Sequence, residues 1–363
     1  MNYEQRISNA QKRMKEQGID YLILTPSTDL LYLTGYRGML SERLTCLILT
    51  QDEPYFVLPQ FEMDTLYTKL SLKVTCIPWE ETESPYEKIE RVLLDGKKTA
   101  AIGAYAPEMV MYRFQKKFSG WEWTLANDIL DDMRMIKSVE EESCIKESHK
   151  RCEKALYRLY EHGLQGMTEV EAMNLLETYC KQEGLNILNG FNMVATGPDG
   201  ALQHYDSQAV EIKRGDPVII DFGYEYAGYI SDITRTPIVG YASEEVKEVY
   251  SIVREANEAA ARAVKIGETC ENIDRAAREV IEGSGYGPYF THRLGHGIGL
   301  DMHEEPYMVE GNKRILQDGY TFSDEPGIYL PGKFGIRIED ILIARPDGAH
   351  KLNDLPHEMV IVD

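Results

Sequence analysis

Hydrophobic and polar positions change their pattern at about residue 130. Before that point, short apolar runs alternate with amphipathic stretches. The polar amphipathic segment NYEQRISNAQKRMKEQGI predicts an opening helix, and the apolar run in DYLILT predicts a strand after it. CLILT and YFVLP, separated by QDEP, predict a hairpin. AAIG reads as a further strand and APEMVMYRFQKKF as a helix. Strands and helices in alternation make residues 1–130 a small α/β domain. Residues 131–363 form a second domain. It opens on helices predicted around Val139–Gly163 and Thr168–Gly184, the second preceded by Thr168-Glu169-Val170-Glu171, the spacing of a capping box.

Within that second domain, VIID is a short apolar run of buried-strand type, and YISDITRT begins a β-branched, aromatic strand. EYAG between them predicts a tight turn that uses Gly228. A turn centred on Tyr226 and Ala227 would set Asp221 directly opposite Asp232, where Cβ atoms lie roughly 4.5–5.5 Å apart. Two carboxylates that close repel each other unless they share a proton or bind cations. An isolated pair of aspartates is more often turn capping or surface, but three further residues change the balance.

His292, His296 and His303 crowd a glycine-rich stretch, THRLGHGIGLDMHEEP. Glycines at 295, 297 and 299 speak against a helix and for a strand or loop with close backbone approach. Glu325 ends a segment before Pro326-Gly327. In GIRIEDILI, alternation puts Arg337 and Glu339 on one strand face, either as a surface ion pair or as a ligand beside a tuning guanidinium. Asp221, Asp232, His296, Glu325 and Glu339 together make an oxygen-rich set. It suits two divalent cations of the Mn²⁺, Co²⁺, Zn²⁺ or Fe²⁺ kind better than a structural zinc, which prefers thiolates and imidazoles. Paired ions of this kind activate water, so the chain reads as a hydrolase.

The five-ligand order, with GHGIGLDMHEEP, EPGIYLPG and GIRIED around it, resembles the pita-bread metallopeptidases, closest to their Xaa-Pro branch of prolidase and aminopeptidase P. MRMIKSVEEESCIKESH resembles the opening of their catalytic domain, and STDLLYLTGYRG their N-terminal domain. The resemblance implies an α/β N-terminal domain plus an α+β pita-bread (creatinase/aminopeptidase) catalytic domain with internal pseudo-twofold symmetry. It implies that Asp221 chelates one metal, Asp232 and Glu339 bridge two, and His296 and Glu325 complete the second, with Mn²⁺ the first choice. Glu325 would also move the proton of the attacking water. His303 would hydrogen-bond the substrate carbonyl, His292 would line the pocket after the scissile bond, and Arg337 would orient carboxylates. Relatives carry Pro-His-Gly where this chain has GALQHYDSQ. His204 matches the residue that stabilises the oxyanion or leaving amine, while Tyr205 replaces a glycine and is expected to narrow the pocket.

Composition limits the partners. The chain has 39 basic and 60 acidic residues, a net charge of −21, which excludes a clustered-cation surface for nucleic acid. The six cysteines form no C-x-x-C pair, as expected of free thiols in a reducing compartment. The start is polar, with no secretory apolar core, and no run of about 18 apolar residues predicts a membrane span. The expected protein is a cytoplasmic homodimer that hydrolyses short proline-containing peptides, most simply as an Xaa-Pro dipeptidase. Three alternatives share the fold: an Xaa-Pro aminopeptidase, a metal-free creatinase-like C–N hydrolase, and a non-catalytic peptide-binding module. Retention of all five ligands weighs against the last two.

Overall fold

The computed structural model describes residues 1–363 apart from Leu94, Asp95 and His204, and apart from the side chain of Asn189. The chain forms two compact units, Met1–Arg134 and Met135–Asp363.

The first unit is built on a mixed six-stranded sheet. Its order is Thr75–Trp79, Pro54–Pro59, Cys46–Thr50, Tyr21–Leu24, Thr99–Ile102, Glu122–Leu125. Tyr21–Leu24 runs antiparallel to Cys46–Thr50 and parallel to Thr99–Ile102. The hairpin expected around QDEP is present, pairing Leu49 with Pro54. The opening helix spans Tyr3–Gln17, where the Asn2 side chain accepts from the Gln5 amide and Gly18 stops it in the left-handed region. STDLLYLT, not assigned from its pattern, is a second helix, Thr28–Thr34, capped by Ser27. Ile23, Ile48, Val57, Trp79, Ile89 and Phe114 fill the core on one side of the sheet.

In the second unit, Val139–His162 and Glu169–Gln182 begin with complete capping boxes, Ser138 with Glu141 and Thr168 with Glu171. Each cap contributes about 1 kcal/mol by satisfying amides that have no partner within the helix. These helices pack Cys152, Leu156, Leu159 and Leu176 against Val194, Val218, Ile220 and Phe222 of the strands Asn186–Thr196 and Val218–Tyr226. The same plan then recurs. Glu244–Ala263 and Cys270–Gly283 pack Val253, Ala256, Ile273 and Ala277 against a five-stranded sheet. That sheet runs Glu304–Met308, Gly295–Gly297, Thr321–Asp324, Asp340–Arg345, Gly348–Lys351. All six cysteines are free thiols. Among the described residues, no helix is long and apolar enough to cross a membrane.

A buried carboxylate and histidine cluster as candidate metal centre

The hairpin carrying the two aspartates is shifted from its expected register. Tyr226 pairs with Tyr229, so the turn is centred on Ala227 and Gly228, both at positive φ (51° and 92°), as a type I′ turn requires. Asp221 therefore faces Thr234, not Asp232. Because the shift is two residues, and side chains alternate with period two, Asp221 and Thr234 still share a face. Asp232 sits in the gap between the paired segments Tyr229–Ile230 and Ile233–Arg235. Gly223 makes that gap possible: a Cβ there would lie 1.9 Å from the Ser231 carbonyl oxygen.

Asp232 is also held from behind. Buried His149 receives the Asp232 amide at Nε2 (3.3 Å) and donates from Nδ1 to the Ile145 carbonyl (2.8 Å). Burial lowers the His149 pKa to about 4, so the ring is neutral and can accept.

The glycine-rich histidine stretch is a short strand, Gly295–Gly297, in the middle of the five-stranded sheet. A Cβ at Gly295 would lie 1.9 Å from the Ser323 carbonyl oxygen, so the neighbouring strand approaches as close as backbone allows. His296 Nδ1 donates to the Gly297 carbonyl at 3.0 Å. Its Nε2 then faces Asp232 (3.6 Å) and Glu325 (3.3 Å). A lone pair aimed at two carboxylates is unfavourable unless a proton or cation lies between them, and a ring fixed in this way is the habit of a metal-bound histidine.

Arg337 and Glu339 do not lie on one strand, as alternation had predicted. Phe334–Arg337 pairs with Gly327–Leu330, whereas Asp340–Arg345 belongs to the five-stranded sheet, and the chain changes sheets at Ile338-Glu339. Nor are they a surface pair: their exposures are 3 % and 1 %. They converge on Thr234. Its hydroxyl donates to Glu339 Oε2 (2.8 Å) and accepts from Arg337 Nε (3.1 Å). Arg337 also donates to Asp221 Oδ2 and to the Tyr329 hydroxyl (2.8 Å).

The result is a tight anionic cluster. Donor atoms of Asp232, His296 and Glu339 all lie within 4.8 Å of one another. Glu325 touches this trio through His296, and its Oε1 accepts from the Ser323 hydroxyl at 3.1 Å. Asp221 Oδ1 and Asp232 Oδ1 are buried with no hydrogen-bond donor among the described residues. Burial, then the charge of Asp221, pushes Asp232 well above the usual carboxylate range. Burial, then the charge of Asp232, does the same to Glu339. Burial also raises Asp221, against the pull of Arg337. Glu325 is opposed by burial yet held down at about 2 by His296. Four buried carboxylates cannot all ionise around one guanidinium, so the donor set fits cations.

The cluster lines a cavity of about 740 Å³, whose walls include Phe191, Met193, Tyr205, His292, Arg293 and His303. The His303 ring centroid is 4.0 Å from that of His296. Burial lowers the pKa of His292, whose Nε2 lies 2.9 Å from the Tyr329 hydroxyl. Tyr205 is part of the wall. Its ring packs with Met193, Ile219 and Tyr329, and its hydroxyl donates to Glu169 at 2.9 Å. His204 lies outside the described residues. Four contributors were not singled out in the sequence: His149, Thr234, Ser323 and Tyr329. Thr234 and Tyr329 had a readable signal, since each stands at an even spacing from an acidic candidate, in DIT and EPGIY.

Comparison with known proteins bears on this arrangement. Residues 143–346 match the metallopeptidase family M24, and residues 6–136 match the creatinase/prolidase N-terminal domain. A probable dipeptidase PepE of Mycobacterium tuberculosis is 37% identical over 99% of this chain and 96% of its own length. An Xaa-Pro dipeptidase of Pyrococcus furiosus is 31% identical over 98% of this chain and 100% of its own. The crystal structure of a prolidase from Thermococcus sibiricus superposes with a TM-score of 0.94 at 35% identity, covering 100% of both chains. The metallopeptidase match implies divalent metal ions, and the chain has a creatinase-type N-terminal domain followed by a pita-bread catalytic domain. The buried cluster and these likenesses lead to one conclusion: the chain belongs to metallopeptidase family M24.

Proposed function

We propose that this chain is an Xaa-Pro dipeptidase whose metal site is Asp221, Asp232, His296, Glu325 and Glu339. The observation that carries the site is the pair of buried, donorless oxygens on Asp221 and Asp232, beside a histidine whose free nitrogen faces two carboxylates. Prolidase and dipeptidase relatives that match nearly end to end support the substrate class.

Two divalent ions would be held by Asp221, Asp232, His296, Glu325 and Glu339. The oxygen-rich set favours Mn²⁺ over softer choices. Bound there, the ions supply Lewis acidity and a water acidified enough to attack an amide at neutral pH. The chain's own groups do the rest. Glu325, at the cavity edge of the cluster, takes the proton of the attacking water and returns it to the leaving nitrogen. An Xaa-Pro nitrogen carries no hydrogen, so this returned proton is what makes it a leaving amine. His303 and His204 steady the carbonyl oxygen as charge develops on it. His292 and Tyr205 frame the space for the proline ring. Arg337 keeps Asp221 ionised and aimed. Free thiols support a cytoplasmic location, and we expect a homodimer.

The test is steady-state hydrolysis of Ala-Pro, Ala-Ala and Ala-Pro-Ala by chelator-stripped protein supplied with Mn²⁺, Co²⁺ or Zn²⁺. Metal-restored cleavage of Ala-Pro above the other two is expected. Faster cleavage of Ala-Ala than of either proline peptide contradicts proline selectivity. Preference for Ala-Pro-Ala would favour an aminopeptidase.

A further inference from the structure

We infer that Arg235 is a positioning residue for Glu339, and that it enlists the C-terminal stretch 353–357 as part of the metal site's frame. The inference rests on Glu339 being a metal ligand, as proposed above.

Every N–H of the Arg235 guanidinium is used. Nε donates to the Pro356 carbonyl (3.0 Å). Nη1 donates to the carbonyls of Thr234 (2.9 Å) and Glu339 (2.6 Å). Nη2 donates to Asp340 Oδ1 (2.7 Å) and to the Leu355 carbonyl (3.0 Å). The side chain is 4 % exposed. One rigid fork thus joins three segments: the strand carrying Thr234, the sheet-changing step at Glu339, and the chain after Leu352.

Asp340 completes the frame. Its Oδ1 also accepts from Asn353 Nδ2 (2.7 Å), and its Oδ2 contacts His357 and Lys351. Asn353 Oδ1 in turn accepts the Ile341 amide (3.1 Å). Glu339 is therefore fixed from two sides. Thr234 holds its carboxylate on the cavity face and Arg235 its carbonyl on the far face, while the Glu339 amide donates to the Thr234 carbonyl (3.1 Å).

The reason for such a device lies in the local backbone. Glu339 stands where the chain leaves one sheet for another, so it belongs to neither strand ladder. A ligand at such a step has no regular pairing to set its direction. Lysine in place of Arg235 would offer a point charge with three donors, enough for Asp340 but unable to span the planar array of carbonyls. Arg235 is not among the cavity's lining residues, so its effect passes through the groups it holds, Glu339 directly and Thr234 beside it.

The test is calorimetric titration of metal-free protein with Mn²⁺ for wild type, Arg235→Lys, Asn353→Ala and a control, Arg134→Lys. The control loosens a buried arginine pair, Arg134 with Asp29 at 2.7 Å, in the other unit. Supporting residues around a metal typically change affinity 10–100-fold. We expect Arg235→Lys to weaken Mn²⁺ binding by about that much and Asn353→Ala by about 10-fold. Arg134→Lys should leave the affinity unchanged, although its melting temperature falls. If Arg235→Lys does not fold, Asn353→Ala carries the comparison. Wild-type affinity in the folded Arg235→Lys or Asn353→Ala protein overturns the inference while leaving the proposed metal site standing. An equal loss in Arg134→Lys also overturns it, by reducing the effect to general destabilisation. Failure of the wild type to bind Mn²⁺ overturns the metal site itself, and this inference with it.

Discussion

Arg337 closes on one oxygen of Asp221 and leaves the other buried, without a donor among the described residues. The guanidinium thus satisfies half of the carboxylate and aims the remaining half into the cavity. It does so while bound to the Tyr329 hydroxyl and to Thr234 Oγ1. An ammonium cannot keep that planar spread of contacts. Arg337→Lys should therefore keep its charge yet weaken metal binding about 10–100-fold. Metal titration of the purified variant checks this, and unchanged affinity would mean that charge alone matters at this position.

Thr234 offers a finer cut at the same geometry. Its hydroxyl donates to buried Glu339 Oε2 and accepts from Arg337 Nε. Thr234→Val keeps the shape and removes the hydroxyl. The lost bond to a charged group is worth about 1.5–3 kcal/mol, roughly a 10- to 100-fold loss in metal affinity or turnover. Thr234→Ser should restore most of it. Equal behaviour of the valine and serine variants would show that the hydroxyl has no part in placing Glu339.

Proton release should accompany metal binding. Burial and neighbouring charges raise Asp232 and Glu339 well above the ordinary carboxylate range in the metal-free protein. The folded state then holds protons that the unfolded chain, titrating near pH 4, has lost. Their contribution to stability is present below about pH 4 and is lost as pH rises towards the raised folded values. Metal must displace those protons, so Mn²⁺ affinity should climb with pH over the same interval. Titration in two buffers of different ionisation enthalpy measures the release. Heats that do not depend on buffer would contradict the assigned protonation.

His149 gives the opposite slope. Its folded pKa is depressed to about 4 by burial, against an ordinary value of 6.5. The unfolded chain takes up that proton first, so the contribution is present above about pH 6.5 and lost as pH falls towards 4. The difference is worth roughly 3 kcal/mol. Urea unfolding of metal-free wild type and His149→Gln, compared between pH 7 and 4, should show wild type losing that much more. Parallel pH profiles would mean that His149 does not stay neutral when folded.

The five proposed ligands could be picked out of the sequence because each stands in its own short motif, edged by glycine, proline or a β-branched run. Their assembly was less so. The hairpin turn lies one residue further along than EYAG suggested, because Ala227 accepts a positive φ beside Gly228. That single step moved the partner of Asp221 from Asp232 to Thr234. Strict alternation also joined Arg337 and Glu339 into one strand, and period-two patterning has no way to mark the change of sheet at Ile338. His149 was hidden for another reason. It lies far from Asp232 in the chain, on a helix whose buried face reads as ordinary core. The six-stranded sheet of the first unit was partly visible, but Thr75–Trp79 and Glu122–Leu125 are short edge strands, the first interrupted by Pro78 and buried only at Ile77 and Trp79, the second with no buried position.

Metal content per chain is the most direct measure of the central claim that these five residues form one dinuclear site. Wild-type protein, reconstituted with Mn²⁺ and desalted, should carry two ions by elemental analysis and hydrolyse Ala-Pro. Asp232→Ala removes one of the proposed ligands, so it should carry less metal and show no turnover. Wild-type metal content together with wild-type hydrolysis in Asp232→Ala would contradict the site.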